Sequence, residues 1–214
     1  MPLQTAEIRR ILENGGLVTF GSLVPGGTRM IDTGTNDMVV ENNYTKVNLV
    51  ATTDDDTISM TRVANDSNDG NGVNIRTIDA MATVGTITAP GYIYTGDFSG
   101  CVFYLYKTGA NTITGVHAYS GVQPVTQRVG IFRRKVVNNV VREFGPTDYF
   151  TRNNGQLICR YPTRGQLDIT AGEISLAFLA CVERTTATTY LFSVSGSPAG
   201  SRVRRLIQTY HVKF

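Results

Sequence analysis

Apolar positions along this chain recur mostly at a period of two, in short runs separated by clusters of Gly, Asn, Asp and Pro. That is the pattern of half-buried strands joined by tight turns. It predicts strands over Leu17–Val24, Lys46–Thr52, Thr57–Val63, Val73–Ile78, Thr83–Thr88, Val102–Tyr106, Ile113–Tyr119, Gln156–Tyr161, Ile174–Val182, Thr189–Ser195 and Val203–Lys213. Two segments follow a helical period instead. Ile8, Ile11 and Leu12 share one face behind Thr5 as N-cap, and Asn14-Gly15-Gly16 stops the run. Across Gln127–Phe144, the apolar Val129, Phe132, Val136 and Val140 alternate with polar Arg133, Asn138 and Asn139 until Gly145-Pro146 ends the pattern. Many short strands with two helices predict an α+β fold, a β-sandwich-like core of mixed sheets with a few helices packed outside, in a single domain over 1–214.

One predicted hairpin carries candidate chemistry. Val102–Tyr106 and Ile113–Tyr119 are its strands and Lys107–Asn111 its turn. Both faces are apolar, with Phe103, Leu105 and Ile113 on one and Val102, Tyr104, Tyr106 and Val116 on the other, so the hairpin is expected to be central. Cys101 opens it and His117 lies on the returning strand. If the turn centres on Gly109, these two are directly opposed, with Cβ atoms roughly 4.5 to 5.5 Å apart. A slip of one residue would send the imidazole to the other face. From the hairpin alone, the pair reads either as a core cysteine beside a satisfied core histidine or as a thiol sharing its proton with an imidazole. The second reading requires Cys101 at a sheet end or edge, facing an accessible pocket.

Composition narrows the surroundings. A chain of 214 residues buries roughly 70% of its unfolded surface in one core and needs no staple. Three cysteines, at 101, 159 and 181, show no Cys-x-x-Cys spacing, and only His117 and His211 could supply imidazoles. No zinc site, disulfide framework or cofactor is expected, and the working environment reads as reducing. The start lacks a charged segment followed by an apolar one, so no Sec-type leader is expected. The longest apolar run, Ile174–Val182, falls far short of the roughly 18 residues that span a bilayer, and no membrane insertion is expected. The net charge of +3 is mild, and the clusters Arg133-Arg134-Lys135 and Arg202-Arg204-Arg205 read as solvated faces. Without an aromatic platform, nucleic acid is not an expected partner. The acidic loop from Asp66 fails as a calcium loop, because Gly70 and Thr77 stand where ligands are required.

The segment Tyr94-Thr95-Gly96-Asp97-Phe98-Ser99-Gly100-Cys101 adds a resemblance. A Ser-Gly-Cys step, a Thr six positions before the Cys and a His on the following strand resemble the glutamine deamidase superfamily of cytotoxic necrotizing factor, the CheD deamidases and Burkholderia lethal factor. Likeness is greatest to the lethal factor. It covers the first twenty or so residues, including the helix Ala6–Leu12, and the segment from about Thr88 to Ser120. Phe98 replaces a Leu of that family's step, and the hairpin is a few residues longer.

The resemblance implies roles. Cys101 is the nucleophile. His117 takes its proton, returns one to the leaving ammonia as the carboxamide becomes a thioester, and then activates the water that releases glutamate. Thr95, by hydroxyl or carbonyl, orients the imidazole. Ser99 and Gly100 border the substrate or oxyanion position, with Gly96 at its edge. Asp97 is expected to point outward, since a carboxylate beside the sulfur opposes the thiolate. The resemblance further implies a monomeric toxin, made in a bacterial cytoplasm, exported without a Sec-type signal and active in a host cytosol. Its first expected target is the DEAD-box helicase of translation initiation, whose modification would block protein synthesis, and its second a Rho-family GTPase. Two alternatives stand beside this: a transglutaminase or amidase using the same pair, and a non-enzymatic β-rich binding module with Cys101 as a buried spacer.

Overall fold

Runs of Val, Ile, Thr, Tyr and Phe lose little rotamer freedom in extended backbone and pack well on a pleated surface. A computed structural model shows the chain using them so, and describes residues 5–13, 17–20, 39–40, 44–51, 57–62, 72–75, 82–98, 101–118, 140–145, 150–153, 156–159, 175–195 and 203–214. Helix α1 is Thr5–Glu13, followed by β1 Leu17–Phe20, β2 Val39–Val40, β3 Tyr44–Ala51, β4 Thr57–Arg62 and β5 Gly72–Ile75. The central strands are β6 Ala82–Thr88, β7 Gly91–Phe98, β8 Val102–Lys107 and β9 Thr112–Ala118. Then come β10 Val140–Phe144, β11 Phe150–Asn153, β12 Gln156–Cys159, β13 Ser175–Val182, β14 Thr186–Ser195 and β15 Val203–Lys213.

Eight strands close into a barrel in the order β1-β15-β14-β13-β7-β5-β3-β4, a five-stranded sheet runs β10-β8-β9-β6-β2, and β11 pairs with β12. Both large sheets are mixed: β1–β4, β5–β7 and β2–β6 are parallel, and most other ladders are antiparallel. The fold is α+β with a sheet-rich layered core, as the pattern predicts, and one of its layers also closes on itself.

The expected second helix is corrected in part. Val140–Phe144 is strand β10, laid along β8 with Phe144 opposite Phe103. Its β-branched valines suit extended backbone, and the ladder with β8 fixes it as the edge strand of that sheet. Residues 127–139, with the Arg133-Arg134-Lys135 cluster, lie outside the described residues. Strand β7 escapes the alternation rule because Tyr92, Ile93 and Tyr94 are all buried, on both faces.

The five-stranded sheet packs on the barrel through a shared core that includes Ile75, Ile93, Phe103, Ile113, Phe144, Phe178 and Leu191. Helix α1 covers the opposite face of the barrel strands, setting Ile8, Ile11 and Leu12 against Leu49, Tyr92, Leu179 and Tyr190. The close approach of the two sheets depends on two glycines that face each other, Gly85 on β6 and Gly115 on β9. A Cβ on Gly115 would lie 2.7 Å from Ile93 Cγ2, and one on Gly85 2.8 Å from Ile75 Cγ1. Any side chain there would hold β5 and β7 away from β6 and β9.

Candidate active site

Strand β7 belongs to the barrel, while its neighbours in sequence, β6 and β8, belong to the second sheet. The chain therefore crosses between layers at Ala89-Pro90, a cis peptide bond, and is back in the second sheet from Val102. This double crossing sets β7 across the core from β6 and β9. Odd-numbered residues of β7 share the face of Ile93, which points into the intersheet core. Thr95 has that parity. In the barrel ladder it stands between Ile75 and Phe178.

His117 points into the same space from the other layer. It is opposite Phe103 on β8 and opposite Thr83 on β6. Its Nδ1 lies 2.8 Å from Thr95 Oγ1, a hydrogen bond that spans the two sheets. Thr95 is fully buried and His117 is 1% exposed, so the pair sits in an apolar core. A buried polar group costs free energy unless it is bonded, and a net gain of about 1 kcal/mol per bond does not by itself favour placing an imidazole there. With the proton on Nδ1 donated to Thr95 Oγ1, Nε2 carries the lone pair, the tautomer a base needs in order to take a thiol proton. The contact uses the threonine hydroxyl rather than its carbonyl.

The hairpin register differs from the sequence reading. Lys107 pairs with Ile113 and Phe103 with His117, so the turn centres on Ala110 rather than Gly109. Cys101 and His117 are therefore not directly opposed. The turn closes on one carbonyl, that of Thr112, which accepts from Thr108 N at 2.9 Å, Gly109 N at 3.3 Å and Thr108 Oγ1 at 3.3 Å. The Thr108 hydroxyl also meets Thr114 Oγ1 at 3.2 Å, which in turn meets Thr86 Oγ1 at 2.8 Å. The centre moves by one residue, so each pairing moves by two, and a two-residue shift conserves the face. Cys101, two residues before Phe103 and in the same intersheet core, becomes a diagonal neighbour of His117, a relation in which Cβ atoms lie about 7 Å apart.

Cys101 stands just before β8, at a sheet end as the sequence reading requires. It is 4% exposed, so its side chain does not stand open to solvent as that reading also requires. Ser99 and Gly100 lie outside the described residues. Asp97 is the extra residue of a β-bulge, since Leu176 and Ala177 pair with Phe98 and Gly96 on either side of it. Such bulges bend a strand and re-aim the residues beyond them, and this one directly precedes the crossing that delivers Cys101.

Of three neighbours of the site, Phe103 was placed on the hairpin face of Cys101 from sequence, and Thr83 and Phe178 were not singled out. Phe103 and Thr83 flank His117 in its own sheet, with Thr83 Oγ1 3.5 Å from the His117 carbonyl oxygen, and Phe178 flanks Thr95. The alternation Thr83, Gly85, Ile87 carried the signal for the second of these. No protein-family model matches this chain, and no curated protein matches its sequence. Among the described residues no cluster of His, Cys, Asp and Glu could hold a metal ion, and no helix is long and apolar enough to cross a membrane.

Removing one oxygen separates orientation from packing. Thr95→Val keeps the shape and loses the hydroxyl. It is expected to lower any deamidation rate roughly 10- to 100-fold, a part of what a positioned base contributes. It is expected to cost about 1–3 kcal/mol of stability, because the His117 nitrogen loses its buried partner. Thr95→Ser should restore most of both. Steady-state ammonia release and thermal melting measure the two.

Proposed function

We propose that this chain is a cysteine-dependent protein-glutamine deamidase. The observation that carries the reading is the 2.8 Å hydrogen bond between Thr95 and His117, made across two sheets whose shared core also holds Cys101. Thr95 orients the imidazole, His117 moves the proton, and Cys101 attacks the carboxamide carbon. Ammonia leaves as the thioester forms, and water then splits the thioester to a carboxylate and restores the thiol. By resemblance, the enzyme acts as a toxin on a host protein, first a DEAD-box helicase of translation initiation and second a Rho-family GTPase. Incubating each target with the purified chain, then mapping glutamine-to-glutamate conversion by mass spectrometry, tests this. Conversion of one defined glutamine with release of ammonia is the expected result. Crosslinked amine products in its place would make the enzyme a transglutaminase, and no change in either target would remove the assignment of partners.

The burial of Cys101 and His117 favours a second reading, a β-rich binding module in which Cys101 is a packed spacer. Alkylation of the native protein separates the two. Cys181 serves as an internal slow reference, because burial and the nearby Glu183 push its thiol far up from the ordinary range. An activated Cys101 labels well before Cys181 and loses that advantage in His117→Ala. Equal inertness of both thiols belongs to the spacer.

A further inference from the structure

A cavity of about 460 Å³ opens between the polar flank of α1 and the β13–β14 hairpin. It is remote from the thiol site along the same strands. Its Cys181 pairs with Tyr92 near the start of β7, whereas Cys101 follows the far end of β7. The helix contributes Arg9, Arg10 and Glu13 to the wall, and the hairpin contributes Glu183, Thr186, Thr188 and Tyr190.

The charges there are not equivalent. Arg9 Nε is bound to Glu13 Oε1 at 2.9 Å, so these two largely cancel. Arg10 is exposed and makes no ion pair among the described residues. Strand β15 runs beside this wall and adds the Lys213 ammonium to its face, because Lys213 pairs with Thr186 and His211 with Thr188, and cross-strand partners share a face. His211 Nδ1 lies 3.5 Å from Thr188 Oγ1. Against Arg10 and Lys213 stands one further carboxylate of the lining, Glu183. The floor is neutral: burial raises the Tyr190 phenol and the Cys181 thiol far above their ordinary ranges, so both keep their protons.

The geometry points to this cavity as a binding site for a small organic phosphate. Arg10 and Lys213 would engage the phosphoryl oxygens, a guanidinium fork matching them in pairs, and the Thr186 and Thr188 hydroxyls would donate to the remainder. The Ala6 methyl, the Tyr190 ring and the Cys181 thiol leave room and an apolar surface for an organic body that inorganic phosphate lacks. The site owes nothing to Cys101, and it stands or falls apart from the deamidase reading.

Calorimetric titration of the full chain with glucose 6-phosphate, AMP, inorganic phosphate, glucose and adenosine tests it. The expected result is saturable binding of at least one ester, tighter than inorganic phosphate, with none of the unphosphorylated partner. Arg10→Ala, which suits an exposed helical position, should weaken that binding about tenfold by removing a charge-assisted contact. Glu183→Gln removes the opposing carboxylate and should strengthen it or leave it unchanged. The proposal is overturned if neither ester binds, if glucose or adenosine binds as well as its ester, if Arg10→Ala leaves affinity intact, or if Glu183→Gln weakens it.

Discussion

Replacing Cys101 by Ser is expected to abolish glutamine deamidation, with a fall of at least about 10⁴-fold, because a serine hydroxyl beside a neutral imidazole is a far poorer nucleophile than the thiol. The substitution also places a hydroxyl in an apolar core, at a cost of about 1–3 kcal/mol if the hydroxyl finds no partner. Cys101→Ala removes the nucleophile without that polar burden, and the two variants together separate lost chemistry from lost fold. Circular dichroism and thermal melting should show both folded, while target mass spectrometry shows neither converting glutamine. His117→Ala is expected to lose about 10²- to 10⁴-fold, since the intrinsic reactivity of sulfur survives without its base. The thiol mechanism is refuted if ammonia release persists in folded Cys101→Ser and Cys101→Ala.

The parts of this structure that were legible in the sequence are those set by local alternation. Residues 203–213 and 113–118 read correctly because period-two apolar runs bounded by turn residues have few other solutions. The face shared by Cys101 and His117 was also legible, since parity survives the two-residue shift in pairing. The register itself was not, because the Thr108 hydroxyl bonds the Thr112 carbonyl and the Thr114 hydroxyl where the turn closes, and pattern does not weigh such bonds. Val140–Phe144 fits a helical period as well as a strand edge, and pairing with β8 decides between them. Least legible was the layer change at either end of β7. Nothing in the alternation says that Thr95 and His117 lie in different sheets, and yet that separation is what lets their side chains meet between the layers.

The intersheet core joins those layers, and Phe178 is the barrel side chain that meets the rings of both β8 and β10. Its ring is fully buried and lies 5.4 Å from the Phe103 ring and 5.2 Å from the Phe144 ring, centroid to centroid, so it joins the barrel to both β8 and β10. Phe144 extends the group to Tyr210 at 5.1 Å, and Arg142 covers its far side at 5.3 Å. Phe178→Ala removes the area of one ring and leaves a void that flanking strands fill only partly. The expected loss is about 3–5 kcal/mol, the usual range for a buried phenylalanine, which lowers the melting temperature by roughly 10 °C in a chain of this size. Its ladder partner is Thr95, so the same void loosens the strand that positions the histidine. Deamidation by Phe178→Ala should therefore fall even well below its melting temperature, whereas Phe178→Leu, which refills much of the space, should keep most of the rate at a smaller cost of about 1–2 kcal/mol. Chemical denaturation and turnover at low temperature measure the two effects independently, and an unaltered rate in folded Phe178→Ala would mean that the Thr95–His117 contact does not depend on this packing.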